Sequence, residues 1–171
     1  GPGWNVLHWS KGAVAGFDDF APQTTVMKPG ETLHLQPGGG RSSSQVLPFF
    51  NLRTGNGGTI IADGWTGEWA TEFISDVTGN VTVKSGMANT HLVLYPGEEI
   101  RTPRMLLLTY EGDRWRGQNL FRQFILAHHR PKRNGEPLIA PVTNGNWGGT
   151  PADVHLDNIE KIIRYDLPIE Y

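Results

Sequence analysis

Hydrophobic and polar positions alternate with a period of two through the first two thirds of the chain, and that period predicts strands. It runs most cleanly through residues 65–73. Trp65, Trp69, Thr71 and Phe73 fall on one side of an extended chain, and Glu68, Ala70 and Glu72 fall on the other. A half-buried antiparallel strand has this pattern. Further strands are predicted at 24–27, 32–35, 59–62, 68–75, 81–84 and 92–94. The unbroken apolar run 105–110 is expected to be a strand buried on both faces. Two Pro-Gly-Glu turns, Lys28-Pro29-Gly30-Glu31 and Tyr95-Pro96-Gly97-Glu98, mark reversals, because proline presets φ at the first corner and glycine accepts the positive φ at the next. Residues 77–80 supply the turn between two of the strands.

After Asp113 the period changes to that of a helix. Leu120, Phe121, Phe124, Ile125 and His128 recur three and four apart until Pro131 ends the run. A loop at 132–137 and a short apolar strand at 138–142 follow. Next comes a second helix. Thr150 is expected at its N-cap and Pro151 at its first position, with Asp153 three residues after the cap. Leu156, Ile159 and Ile163 form its apolar stripe, and Lys161 and Arg164 lie near its C-terminal end. Residues 167–171 read as the start of another strand. The domain reading is therefore a mainly β part, 1–112; a linking helix and loop, 113–137; and a strand–helix unit, 138–171. Strand, loop, helix, strand is the opening of a parallel βα array, and one such unit cannot close an eight-stranded barrel.

Composition narrows the function classes. The chain has 171 residues, 22 of them glycine and 12 proline, which suits a turn-rich β fold. Net charge is −2, too little positive charge to hold a phosphate backbone, so nucleic acid is not an expected partner. The basic run at 128–133 falls at a predicted helix end, where cations are favoured in any case. No apolar run approaches the ~20 residues of a membrane span, so a membrane is not an expected partner either. There is no cysteine, hence no disulfide, no thiolate nucleophile and no cysteine-bound zinc. His8, His34, His91, His128, His129 and His155 lack metal-ligand spacing, and neither a metal nor another cofactor is expected. Ser42-Ser43-Ser44 lacks a nucleophile-elbow context, and Gly38-Gly39-Gly40 lacks the lysine of a phosphate loop.

Four segments, in this order, carry a family resemblance. They are the 41–50 stretch RSSSQVLPFF; the 94–103 stretch LYPGEEIRTP; the helix at 117–130 with its Phe-Arg-Gln-Phe core; and Ala140-Pro141-Val142 leading to Asn146-Trp147. Together they resemble glycoside hydrolase family 36, whose members are mostly α-galactosidases. The resemblance runs from about residue 40 onward. It implies a β-sandwich of the supersandwich kind followed by a (β/α)₈ barrel, here an incomplete one. It also implies retaining hydrolysis of α-galactosides by two carboxyl groups roughly 5 Å apart. In the family both carboxyls lie on later barrel strands, and neither position occurs in this sequence. A further sugar-binding Asp motif would follow Tyr171. Gly148-Gly149 departs from the family pattern after the Asn-Trp pair, which allows another substrate.

The expected role is thus that of a truncated α-galactosidase-like fragment that at most binds a galactoside-type oligosaccharide, with no catalytic residue of its own. Trp147 and Asn146, at the mouth of the implied barrel, are candidate sugar-binding residues, one by stacking and the other by hydrogen bonding. Trp65 and Trp69 are a second candidate platform, although two tryptophans on one strand face more often fill a core. Glu68 and Glu72 lie four strand residues apart, roughly 13 Å, too far for either glycosidase geometry. Two alternatives stand beside this reading. One is a stand-alone glycan hydrolase with a different site. The other is a non-catalytic carbohydrate-binding or oligomerising module, with homo-oligomers formed through the exposed C-terminal strand–helix unit.

Overall fold

The computed structural model describes residues 5–145 and 148–170. The strands are β1 (Asn5–Ser10), β2 (Pro22–Met27), β3 (Thr32–Leu35), β4 (Phe49–Thr54), β5 (Gly57–Gly64), β6 (Trp69–Ser75), β7 (Val81–Met87), β8 (Arg104–Glu111), β9 (Lys132–Arg133) and β10 (Glu136–Pro137). The helices are α1 (Arg114–His128) and α2 (Ala152–Arg164). The fold is mainly β. One sheet has the order β2-β1-β4-β5-β8 and a second has the order β3-β6-β7. Every strand pairing among the described residues is antiparallel. Contacts divide the chain into units at 1–126 and 127–171.

In the first unit the two sheets share one core. Leu7, Phe50, Leu52 and Ile61 come from the five-stranded sheet, and Leu35, Trp69 and Phe73 come from the three-stranded one. Phe50 meets Trp69 and Phe73 edge-on at 5.6 and 5.2 Å, the arrangement ring quadrupoles prefer. The opposite face of the larger sheet carries α1. Phe121 packs on Phe49 at 5.2 Å. Gly117 is buried against the Tyr110 ring so closely that a Cβ there would stand 2.4 Å from a ring carbon. The Tyr110 hydroxyl donates to Asn51 Oδ1 at 2.6 Å, and Asn51 Nδ2 donates to the Arg114 carbonyl. Asp113 caps the helix by accepting from the Arg116 amide.

Several expectations are corrected. Residues 92–94 form no strand, and Leu92, Val93 and Leu94 are exposed in irregular chain. β8 is an edge strand, not one buried on both faces. Leu106, Leu108 and Tyr110 are covered to differing degrees, whereas Met105, Leu107 and Thr109 are exposed. The loop at 132–137 is a small hairpin. Asn134 (φ 53°) and Gly135 (φ 84°) make its turn, the left-handed pair that two-residue hairpins require.

The second unit keeps the predicted helix but not the predicted strands. Pro151, not Thr150, is the N-cap of α2, so the helix starts one position later than expected. Residues 138–142 and 167–170 are irregular. They do lie side by side, because the Glu170 amide donates to the Val142 carbonyl at 2.8 Å, but no ladder extends from that bond. α2 buries no residue, and its stripe of Leu156, Ile159 and Ile163 is exposed.

Candidate functional site

A concavity of the first unit lies at the end of β1, where residues 9–21 meet residues 42–46. It encloses about 360 Å³ and is lined by Trp9, Lys11, Gly12, Val14, Asp18, Asp19, Ser44, Gln45 and Val46. This is near the lower end of small-ligand sites. Register explains the meeting. β1 pairs with β2 on one side and β4 on the other, so the chain leaving β1 passes beside the chain entering β4. Lys11 forms a single bridge to Val46. The Gly12 amide then donates to the Gln45 carbonyl and the Ala13 amide to the Ser43 carbonyl, both at 2.9 Å. Gly12 has no room for a side chain, since a Cβ would lie 2.2 Å from the Ser44 carbonyl oxygen.

The 12–21 loop is braced from within. Asp19 accepts the Val14 amide on one carboxylate oxygen and the Ala15 amide on the other, each at 3.0 Å. The Phe20 amide donates to the Gly12 carbonyl, and the Lys11 ammonium donates to Asp18. Arg41 reaches across to the Ala13 carbonyl. Ala15 (φ 66°) and Phe20 (φ 62°) are held in the left-handed region, which costs a non-glycine residue on the order of 1 kcal/mol or more. That cost persists only where surrounding bonds fix the loop. Phe17, at its tip, is fully exposed. From below, Trp69 Nε1 donates to the Ser42 carbonyl at 2.8 Å and fixes the opposite wall.

Both acids of the groove have their pKa drawn down. The hydrogen bond from Lys11 and its charge keep the Asp18 carboxyl below the usual range. The Val14 amide, with help from those of Gly16 and Ala15, does the same for Asp19. Burial pushes one carboxyl the other way, that of Asp63. It is 3% exposed and sits between the sheets against the Thr71 and Ser85 hydroxyls. Among the described residues no group of three or more His, Asp or Glu side chains is placed to hold a metal ion. No described helix is long and apolar enough to cross a membrane.

The residues singled out from the sequence fall elsewhere. Trp69 is wholly buried, its ring packed on Phe50, so it offers no face to a sugar and instead positions Ser42. Trp65 is half-buried and packs against the same core. Asn146 and Trp147 lie outside the described residues. The groove residues gave little warning in the sequence. Trp9 has no periodic partner, and the nearest signal was the Arg41-Ser42-Ser43-Ser44 segment that carries part of the family resemblance. No protein-family model matches the chain, and no curated protein matches it significantly.

Proposed function

We propose that this chain is a non-catalytic, carbohydrate-binding part of an α-galactosidase-like glycoside hydrolase, built on a supersandwich-like domain, and that its sugar site is the groove at Trp9. The observation that carries this reading is the groove's make-up. A half-buried indole stands beside Lys11, Asp18, Ser44 and Gln45 in a concavity of about 360 Å³. The apolar face of a hexose suits an indole, and its hydroxyls suit neutral and charged donors and acceptors set around it. One wall belongs to the segment that resembles the glycosidase family. Retaining hydrolysis needs one ionised and one protonated carboxyl about 5 Å apart. The Asp18 carboxyl is tied to Lys11 and that of Asp19 to two backbone amides, which supports a binding role for the groove rather than a cutting one.

Calorimetric titration with methyl α-galactoside tests the reading. Binding is expected, weakened by Gln45→Ala, an exposed substitution that leaves the fold intact. Purified protein is expected to leave a chromogenic α-galactoside uncleaved. Turnover abolished by one carboxylate substitution would establish the stand-alone hydrolase instead. A second reading rests on α2, whose Leu156, Ile159 and Ile163 form a continuous exposed stripe. Such a stripe suits pairing with a second copy. Sedimentation velocity would then show a dimer or larger species, reduced to monomer by Ile159→Glu.

A further inference from the structure

Independently of the sugar groove, we infer that His8, Arg53 and Arg114 form a binding site for a phosphate group on the outer face of the five-stranded sheet, beside the start of α1. Register brings the three together. Leu7, Phe50 and Leu52 point into the core, so His8 and Arg53 point the other way, onto the face that carries α1. His8 stands opposite Asn51, and Val6 opposite Arg53, so His8 and Arg53 are diagonal neighbours across β1 and β4. Asn51 Nδ2 donates to the Arg114 carbonyl at 3.3 Å and sets Arg114 at the same place. Trp9 packs against the core from the opposite face of β1. The cations of this cluster are unanswered. The ion pairs among the described residues use neither arginine. Arg53 Nε is shut away from solvent without a hydrogen-bond partner, which costs free energy. Arg53 as a whole is only half-buried, so a turn of its side chain brings that donor to an acceptor at the surface. Arg114 stacks its guanidinium on the Trp115 ring, 4.4 Å from the centroid, which leaves its in-plane N–H groups free to donate. His8 Nδ1 lies 3.1 Å from Thr24 Oγ1, and its Nε2 has no partner among the described residues. Asp113, the acid next to Arg114 in the chain, is engaged by the Arg116 amide. Burial, and then the charges of Arg114 and Arg53, lower the His8 pKa, so both guanidinium groups act on its ring. Donors converging from three elements suit a tetrahedral group with an oxygen for each, and its negative charge relieves the crowding of like charges.

The test is resonance titration of the isotope-labelled full chain with inorganic phosphate and, separately, with glucose 6-phosphate, each against sodium chloride at matched ionic strength. Saturable shifts of the His8 ring, the Arg53 amide and the Trp115 indole are expected, while the buried Trp69 indole stays still. Arg53→Gln and Arg114→Gln are each expected to weaken phosphate binding by about tenfold, the scale of one charge-assisted hydrogen bond. Arg122→Gln, at an exposed arginine further along α1, is expected to leave binding unchanged. Tighter binding of the sugar ester than of inorganic phosphate assigns the site to a phosphorylated sugar, and ester binding that is no tighter assigns it to the free anion; either supports the site. Shifts reproduced by sodium chloride, shifts confined to residues remote from the β1–β4 face, or an equal loss in Arg122→Gln overturn it. The parent titration decides the matter even where a variant fails to fold.

Discussion

Asp63 supports a prediction with an unusual sign. Its carboxyl lies between the sheets, 2.7 Å from Thr71 Oγ1 and 2.7 Å from Ser85 Oγ, and those two hydroxyls are 2.7 Å from each other. Three short contacts need three protons. The hydroxyls supply two, and only a protonated carboxyl supplies the third. Once ionised, the carboxylate takes both hydroxyl protons and leaves two oxygens 2.7 Å apart with nothing between them. Burial is the largest influence and raises the pKa, outweighing the Thr71 and Ser85 hydroxyl bonds, which pull it down. A group whose folded pKa is raised contributes stability that is fully present below its unfolded pKa. That stability is lost as pH rises from the ordinary aspartate range through the folded value. Asp63→Asn keeps one donor and one acceptor in the same place and stays neutral at every pH. At neutral pH the variant is therefore expected to be more stable than the parent, by about 1.4 kcal/mol for each unit of the shift. The advantage vanishes at acid pH. Asp63→Ala, which loses both bonds and leaves a void, is expected to destabilise by about 2–3 kcal/mol. Urea melts of parent and Asn variant from pH 3.5 to 8 settle the matter. A variant that loses stability relative to the parent as pH rises would refute the protonated ring.

Gly117→Ala puts a methyl 2.4 Å from the Tyr110 ring; overpacking of about 1–3 kcal/mol outweighs the gain in helix propensity, and a lowered urea midpoint is expected. Asp76 accepts from the Thr78 and Asn80 side chains and backbone amides, which hold its pKa down to about 2. Its contribution is present above the ordinary aspartate value and is lost as pH falls toward 2, so Asp76→Ala lowers the melting temperature at pH 7 and narrows the gap to the parent in acid. Gly12→Ala drives a methyl into the Ser43 and Ser44 carbonyls, and loss of galactoside binding is expected with the core still folded by near-ultraviolet circular dichroism.

The sequence carried those parts of the fold that are set locally. β6 buries every second residue from Trp69 to Ser75, as its alternation predicts. Both Pro-Gly-Glu turns close, with the Glu31 amide on the Lys28 carbonyl and the Glu98 amide on that of Tyr95. The second turn nevertheless has no strand before it, because a strand exists only with a partner, and residues 92–94 find none. β4 entered the reading only through the Pro48-Phe49-Phe50 end of the stretch that carries the family resemblance. Phe50 faces the core while Phe49 faces α1, and burial on both sides erases the alternation. β8 misled in the opposite sense. Its apolar run suggested burial on both faces, but strand order places it at an edge, and strand order is not written in any local pattern. The groove was hidden for the same reason. Trp9, Asp18 and Gln45 come together through the register of β1 with β2 and β4 and through the bonds that tie Gly12 and Ala13 to the 43–45 segment.

The sugar site is tested most directly by titrating isotope-labelled protein with methyl α-galactoside and following the tryptophan indole and backbone amide resonances. The groove predicts progressive shifts of the Trp9 indole and of the Gly12 and Gln45 amides, while the Trp69 indole, bonded to the Ser42 carbonyl in the core, stays nearly still. Saturating sugar that leaves Trp9 unmoved, or that shifts only residues remote from the groove, would contradict the account.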